Sequence, residues 1–155
     1  MTTSNILVPT DLGEGAAEAL DYACGLAADL GATVHVLHVI GVPALGVPEL
    51  GVAMTAGVID AMVHDNQATL EKLAEERRSR VTIGHVLMRS GDARDQINEV
   101  ARELDCDLIV MATHGRRGVS RVLLGSVAES VVRTAPCPVL TVRTGATVRP
   151  RHAAA

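Results

Sequence analysis

Aromatic side chains are almost missing: the 155 residues contain no Trp, no Phe and a single Tyr. The core must therefore be built from Val, Leu, Ile, Ala and Met, and the stacking platforms of single-stranded nucleic-acid binders are excluded. Cysteine is scarce as well. Cys24, Cys106 and Cys137 are odd in number, widely spaced and form no CxxC, which predicts buried, reduced thiols in a cytoplasmic protein. Basic charge is not in excess: the net charge is −4, whereas duplex DNA calls for a basic footprint. No basic segment followed by a long apolar core opens the chain, so no signal peptide is expected. The most apolar region, Val39 to Val63, is broken by Pro43, Pro48, Glu49 and Asp60. A membrane span needs about 20 mostly apolar residues, and none is expected here.

What remains is a chain that should fold. Apolar residues make up 48% and charged residues 21%, and this length suits one domain that buries roughly two thirds of its unfolded surface. Asn5 to Thr10 (NILVPT) reads as a strand buried on both faces. Ala16, Leu20, Ala23, Ala27 and Leu30 then recur at steps of four and three, one apolar helix stripe, with Gly31 where a left-handed residue ends a helix. Thr33 to Ile40 (TVHVLHVI) is the second strand, and the Gly- and Pro-rich stretch from Gly41 to Gly51 a loop. A helix is predicted from about Thr55 to Ser79, whose charged end EKLAEERRSR reads as a solvated face without a functional role. Val81 to Arg89 is the third strand. Asp92 caps the next helix, with Ile97, Val100, Ala101 and Leu104 on its inner face. Asp107 to Ala112 is the fourth strand, Ser126 to Thr134 a helix, and Pro138 to Arg143 the fifth strand. The tail from Thr144 has no periodicity, so the domain is expected over 1–144 with a disordered tail over 145–155.

Strands alternate with helices, which predicts a mostly parallel sheet with right-handed crossovers. Ligands of such sheets bind beyond the carboxyl ends of the strands, where the strand order reverses. The segment after the fourth strand, Gly115 to Val127, carries the chemistry for this. Glycines there let main chain approach a phosphate, and Gly125-Ser126 opens a helix whose unpaired amides and dipole favour anions. Ser126 with Glu129 matches a capping box. Arg116 and Arg117 add donors, and with Arg121 they form a local cluster suited to a small anion. The alternative is an ordinary surface loop in which Ser126 only caps its own helix. Neither GxxxxGK[ST] nor GxGxxG follows the first strand.

On these residues the chain resembles the universal stress protein family: ILVPTD at Ile6–Asp11, LHVI at Leu37–Ile40, DLIVMATHG at Asp107–Gly115 and LLGSVAESVVRTAPCPVLTV at Leu123–Val142. The resemblance spans nearly the whole chain and extends to the ATP-binding branch, which carries G-x2-G-x9-G-[ST]. Gly115, Gly125 and Ser126 match its later positions, while Ala112 stands where the first glycine would be. The added methyl lies near the ribose and is expected to be tolerated. The resemblance implies a five-stranded parallel sheet in the order 3-2-1-4-5, with helices on both faces. It also implies that Pro9, Thr10 and Asp11 line the ligand, with Asp11 near the nucleoside or a bound metal. The backbone of Val39 would read the adenine edge, Met111 and Ala112 would flank ribose and base, and Gly115, Arg116, Gly125, Ser126 and Val127 would hold the phosphates. ATP with Mg²⁺ is the implied cofactor, and a homodimer through Pro138–Arg143 the implied assembly. That pairing would also cover a free strand edge.

The remaining candidates are weaker. His35 and His38 lie three apart on a strand and point to opposite faces, so they do not readily share a metal. His114 could donate to a phosphate or simply close its loop. Asp11 could act as a base, hold Mg²⁺, or cap the first helix together with Glu14. No GxSxG, HExxH or zinc spacing is present, and no catalytic group is assembled. Three functions follow: a nucleotide-dependent regulatory stress protein, a slow ATP hydrolase or phosphoryl-transfer enzyme using Asp11 or His114, and a dimeric interaction protein that binds no nucleotide. AMP or a cyclic nucleotide could replace ATP in the first. Gly41 to Thr55 could be a lid or a linker.

Overall fold

The structure, a computed structural model, describes residues 2–41, 52–113, 124–143 and 145. Among them strands and helices alternate as β1 Asn5–Thr10, α1 Glu14–Leu30, β2 Thr33–Ile40, α2 Val52–Glu75, β3 Thr82–Ser90, α3 Ala93–Glu103, β4 Leu108–Ala112, α4 Ser126–Thr134 and β5 Val139–Val142. The sheet is parallel throughout, in the order β3-β2-β1-β4-β5. This is the architecture and strand order expected from the sequence.

Strand side chains alternate between two cores. Ile6, Val8, Val34 and Val36 pack on one face with Ala19, Leu20, Ala23 and Ala27 of α1 and Leu70 and Ala74 of α2. Leu7, Leu37 and Ile109 pack on the other with Ile97, Val100 and Ala101 of α3 and Ala128 and Val131 of α4. Both faces are covered, which is why β1 reads as a continuous apolar run. Each large aliphatic side chain taken fully from water contributes about 1.5–3 kcal/mol.

The helix signals behave as read. Gly31 ends α1 at φ 67 and its amide returns to the Ala27 carbonyl. Asp92 caps α3, accepting from the Asp95 amide at 3.1 Å. The long helix needs correction: α2 begins at Val52 instead of Thr55 and stops at Glu75 instead of Ser79. The charged run after it is not wholly solvated. Arg77 is buried, donating to Asp21 Oδ1 at 2.9 Å and to the Leu73 carbonyl at 2.8 Å, so it staples α2 to α1. Strand ends shift by one residue: β3 runs from Thr82 to Ser90, β4 starts at Leu108, and β5 covers Val139–Val142.

One irregularity has a clear cause. The β2–β3 register jumps between Val34 and Val36, so Gly84 and His85 together oppose His35, as in a bulge. The His85 amide donates to His35 Nδ1 at 3.0 Å. A Cβ on Gly84 would lie 2.5 Å from His35 Cε1, so only glycine leaves room for the ring.

The expected lid or linker after Gly41 falls outside the described residues up to 51. The tail does too, apart from Gly145, whose amide donates to Glu18 Oε2 at 2.7 Å. Among the described residues, no helix is long and apolar enough to cross a membrane.

Candidate functional site

The strand order reverses at β1, with β2 on one side and β4 on the other. Main-chain hydrogen bonds show which way each residue turns. The Asn5 carbonyl accepts from Asp107 and the Ser4 carbonyl from Thr33. Odd-numbered residues of β1 therefore turn their main chain to β4, and even-numbered ones to β2. The β1–β2 ladder runs from Asn5↔Thr33 to Thr10↔His38, but the β1–β4 ladder registers only Ile6↔Leu108 and Leu7↔Ile109. No further pair is registered towards their carboxyl ends. The next odd residue of β1 is Pro9, which has no amide hydrogen to offer β4. A proline in a central strand is tolerated here because its missing donor falls where the ladder ends.

Beyond Thr10 the chain turns sharply. Leu12 adopts φ 64, uncommon for a residue with a side chain. The turn is fixed by two local bonds: Leu12 N donates to Thr10 Oγ1 at 3.0 Å, and Gly13 N donates to Asp11 Oδ1 at 2.9 Å. Helix α1 follows with Gly13 as its first cap and no side-chain cap bond. Asp11 thus closes a turn before the helix instead of capping it with Glu14. The same diversion affects β2. Thr33 donates to Ser4, so the odd residues of β2 turn their main chain to β1. The rung after Thr10↔His38 would join the Val39 carbonyl to the Leu12 amide, but that amide is engaged by Thr10. Among the described residues no other amide reaches the Val39 carbonyl, which is left as an acceptor at the end of the ladder.

The other wall is the end of β4 and the start of α4. Ile109 and Thr113 donate to the Pro138 and Val142 carbonyls, so odd residues of β4 turn to β5. Ala112 turns to β1. Met111 is buried in the core with α3 and α4. Gly125 N donates to the Thr113 carbonyl at 2.7 Å, which fastens the start of α4 to the end of β4.

The expected capping box is not formed. The cap is Gly125, extended at φ −60 and ψ 152, with no side-chain cap bond. Ser126 is the first helical residue and is exposed, and the Glu129 carboxylate accepts instead from Arg133 at 2.8 Å. A capping box needs the hydroxyl one position earlier. Among the described residues no side chain bonds the first-turn amides, and the Glu129 carboxylate of that turn is engaged by Arg133, which leaves those amides to an anion. Val127 is 40% exposed beside Ser126. Gly115 and Arg116 lie outside the described residues, as do His114, Arg117 and Arg121.

One buried group was read from the sequence only as an unsuitable metal ligand. His38 shares a rung with Thr10, and its Nδ1 lies 2.8 Å from the Thr10 carbonyl, with Asn66 Nδ2 3.4 Å from Nε2. His35 faces the opposite core. Burial, and secondarily His85, lowers its pKa below the ordinary 6.5. The thiols are unreactive: burial raises all three, and Cys106 is pushed up to about 12. Cys137 is half-buried, not buried as expected. A groove of about 400 Å³ between α2 and β3 is lined by Glu71, Lys72, Glu75, Arg78, Gly84 and Val86. It carries both signs of charge and lies away from the reversal point.

A five-stranded parallel sheet whose order reverses at β1, with helices on both faces, defines a doubly wound α/β protein. The universal stress protein family pattern matches residues 2–143, and the chain belongs to the universal stress protein family. It is 35% identical over 147 residues to a universal stress protein of Methanocaldococcus jannaschii, covering 89% of this chain and 81% of that protein. Among solved structures, the universal stress protein UspA of Lactobacillus plantarum superposes with a TM-score of 0.82 at 25% identity, covering 92% of this chain and 99% of that one. A universal stress protein of Archaeoglobus fulgidus, solved in complex with dAMP, superposes with a TM-score of 0.63 at 25% identity, covering 91% and 98%.

Proposed function

We propose that this chain binds ATP in the crevice between β1 and β4 and acts as a nucleotide-dependent regulatory protein of the stress response. The observation that carries this is the end of the β1–β4 ladder before Pro9, at the point where the strand order reverses, together with an α4 start that has no side-chain cap and is tied to Thr113. The residues present fit an adenine nucleotide. The Val39 carbonyl suits the exocyclic amine of adenine, Pro9, Thr10 and Ala112 border the nucleoside, and Met111 anchors the strand end beneath it. Gly125, Ser126 and Val127 offer the helix-start amides and a hydroxyl to phosphate oxygens, joined by Gly115 and Arg116 from the loop before them. Mg²⁺ would arrive with the nucleotide, with Asp11 as its protein carboxylate, and would neutralise phosphate charge. The dAMP-bound relative supports the adenine class; the choice of ATP rests on the match of Gly115, Gly125 and Ser126 to the ATP-binding pattern.

A homodimer through Pro138–Arg143 belongs to the same proposal. β5 is an edge strand whose Val139, Leu140 and Thr141 are only half-buried, and a second copy would cover them. Nucleotide occupancy would then be read by partners through the shape of the dimer. The reduced, high-pKa thiols fit a cytoplasmic location.

Thermal unfolding with and without MgATP tests the reading. At 100 times Kd the ligand stabilises the fold by about 2.7 kcal/mol, a melting shift of roughly 5–10 °C for a chain this size. Adenine carried through purification would dominate the ultraviolet spectrum, since the chain has no Trp and one Tyr. Gly115→Val should abolish binding while the fold persists, because a branched side chain would occupy phosphate space. An unshifted melt with every adenine nucleotide would leave the interaction-protein reading.

A further inference from the structure

The geometry points to His38 as a positioning residue for the nucleotide, acting through the Thr10 carbonyl while Asn66 of α2 anchors the far side of its ring. This rests on the nucleotide-binding reading above and deepens it. His38 is 8% exposed and both ring nitrogens are engaged. A carbonyl can only accept, so at 2.8 Å from Thr10 O the Nδ1 atom must carry the proton. Nε2 is then an acceptor, and the Asn66 amide donates to it at 3.4 Å. The two bonds agree on one neutral ring form, and together they span from α2 across β2 to the last residue of β1.

What they hold is the peptide between Thr10 and Asp11. That peptide decides where the chain leaves the sheet. Its carbonyl, turned to the Val39 amide by the last rung of the β1–β2 ladder, takes His38 as a second donor, and the residues that follow make the turn in which Leu12 sits at φ 64 and donates to Thr10 Oγ1. If the Thr10 carbonyl rotated away, the turn would be free to relax. The Leu12 amide could then close the next rung onto Val39, removing the acceptor proposed for adenine and moving Asp11. His38 touches no ligand atom in this account. It keeps the first wall of the crevice open, and because Asn66 lies on α2, the position of that helix enters the binding affinity.

Titration of MgATP into His38→Leu and His38→Asn, by calorimetry below the melting temperature of each, tests this. Leucine keeps bulk but loses the donor, and binding is expected to weaken about tenfold. Asparagine places an amide donor near the Nδ1 position and should recover most of that loss, a rescue that volume alone would not give. Wild-type affinity in His38→Leu, or equal weakness in both variants, overturns the proposal. Should His38→Leu fail to fold, Asn66→Leu removes the ring's second partner at a half-buried site. Nitrogen-15 spectra of the His38 ring should still show the Nδ1–H form held by the Thr10 carbonyl, while binding weakens because the ring has lost its second anchor. Unchanged affinity in that variant overturns the proposal as well. Failure of the wild-type protein to bind any adenine nucleotide sinks the nucleotide reading itself, a result distinct from normal binding in the variants.

Discussion

The two ends of the sheet are built to different rules. At the amino end the strands are closed together. Asp107 Oδ2 accepts from the Ser4 and Asn5 amides at 2.8 and 3.0 Å, which holds its carboxyl below the usual carboxylate range, and its own amide returns to Asn5. Thr33 reaches Ser4, and the fully buried Ile6 pairs with the half-buried Leu108. At the carboxyl end the β1–β4 ladder stops short, a residue with a side chain takes a left-handed conformation, and a helix begins without a side-chain cap. Local propensities and packing agree at the first end and are set aside at the second. Such disagreement is where binding surfaces are found, so stability and ligand affinity should be separable by position.

The largest test of that separation is Ile6→Ala. It removes a fully buried side chain and should cost about 2–5 kcal/mol in denaturant unfolding, while the variant that remains folded binds MgATP normally. Gly84→Ala comes next, with a loss of about 1–3 kcal/mol. The new methyl would meet the His35 ring and Thr33 Cγ2 at 2.8 Å or less, and neither can move freely beneath β3. Ser126→Ala should do the reverse. Because the hydroxyl makes no cap bond, stability should change by under about 0.5 kcal/mol, whereas nucleotide affinity falls by about threefold to tenfold, the scale of one hydrogen bond. Equal effects of Ile6→Ala and Ser126→Ala on binding would erase the distinction. The smallest effect is a pH dependence. His35 has a folded pKa below 6.5, because burial opposes its charge and its Nδ1 already accepts from His85. The unfolded chain takes up that proton first, so stability is full above about pH 6.5 and declines as the pH falls towards the lower folded value. Melting curves from pH 7.5 to 5 should show this decline, and His35→Gln should flatten it.

The closed end was the legible end. Local codes specify it: the apolar run of β1, the Ala and Leu stripe of α1 stopped by Gly31, and the alternation of Thr33–Ile40, whose bounds the structure reproduces. Helix α4 was legible to the residue, Ser126 to Thr134, yet its cap was not. A Ser followed by Glu at the right spacing fits the capping box equally well one position off. Where pairing between distant segments decides, sequence spacing is silent. Nothing near Arg77 announces that Asp21, on another helix, will bury it, and nothing near His38 announces Thr10 across the ladder. The site was visible as a set of glycines and a helix start. The diversion of the Leu12 amide, which leaves the Val39 carbonyl bare, depends on strand register and could not be read beforehand.

Pro9 has a consequence for the empty protein. Two adjacent parallel strands tend to zip to their ends, and a cleft made only by loops can heal when its occupant leaves. Here the missing hydrogen is covalent, so β4 finds no donor at that level whether or not anything is bound. The missing rung is a permanent feature of the sheet. A nucleotide bound there as proposed would meet a strand end already unpaired, and its contact energy would go into affinity instead of breaking a rung.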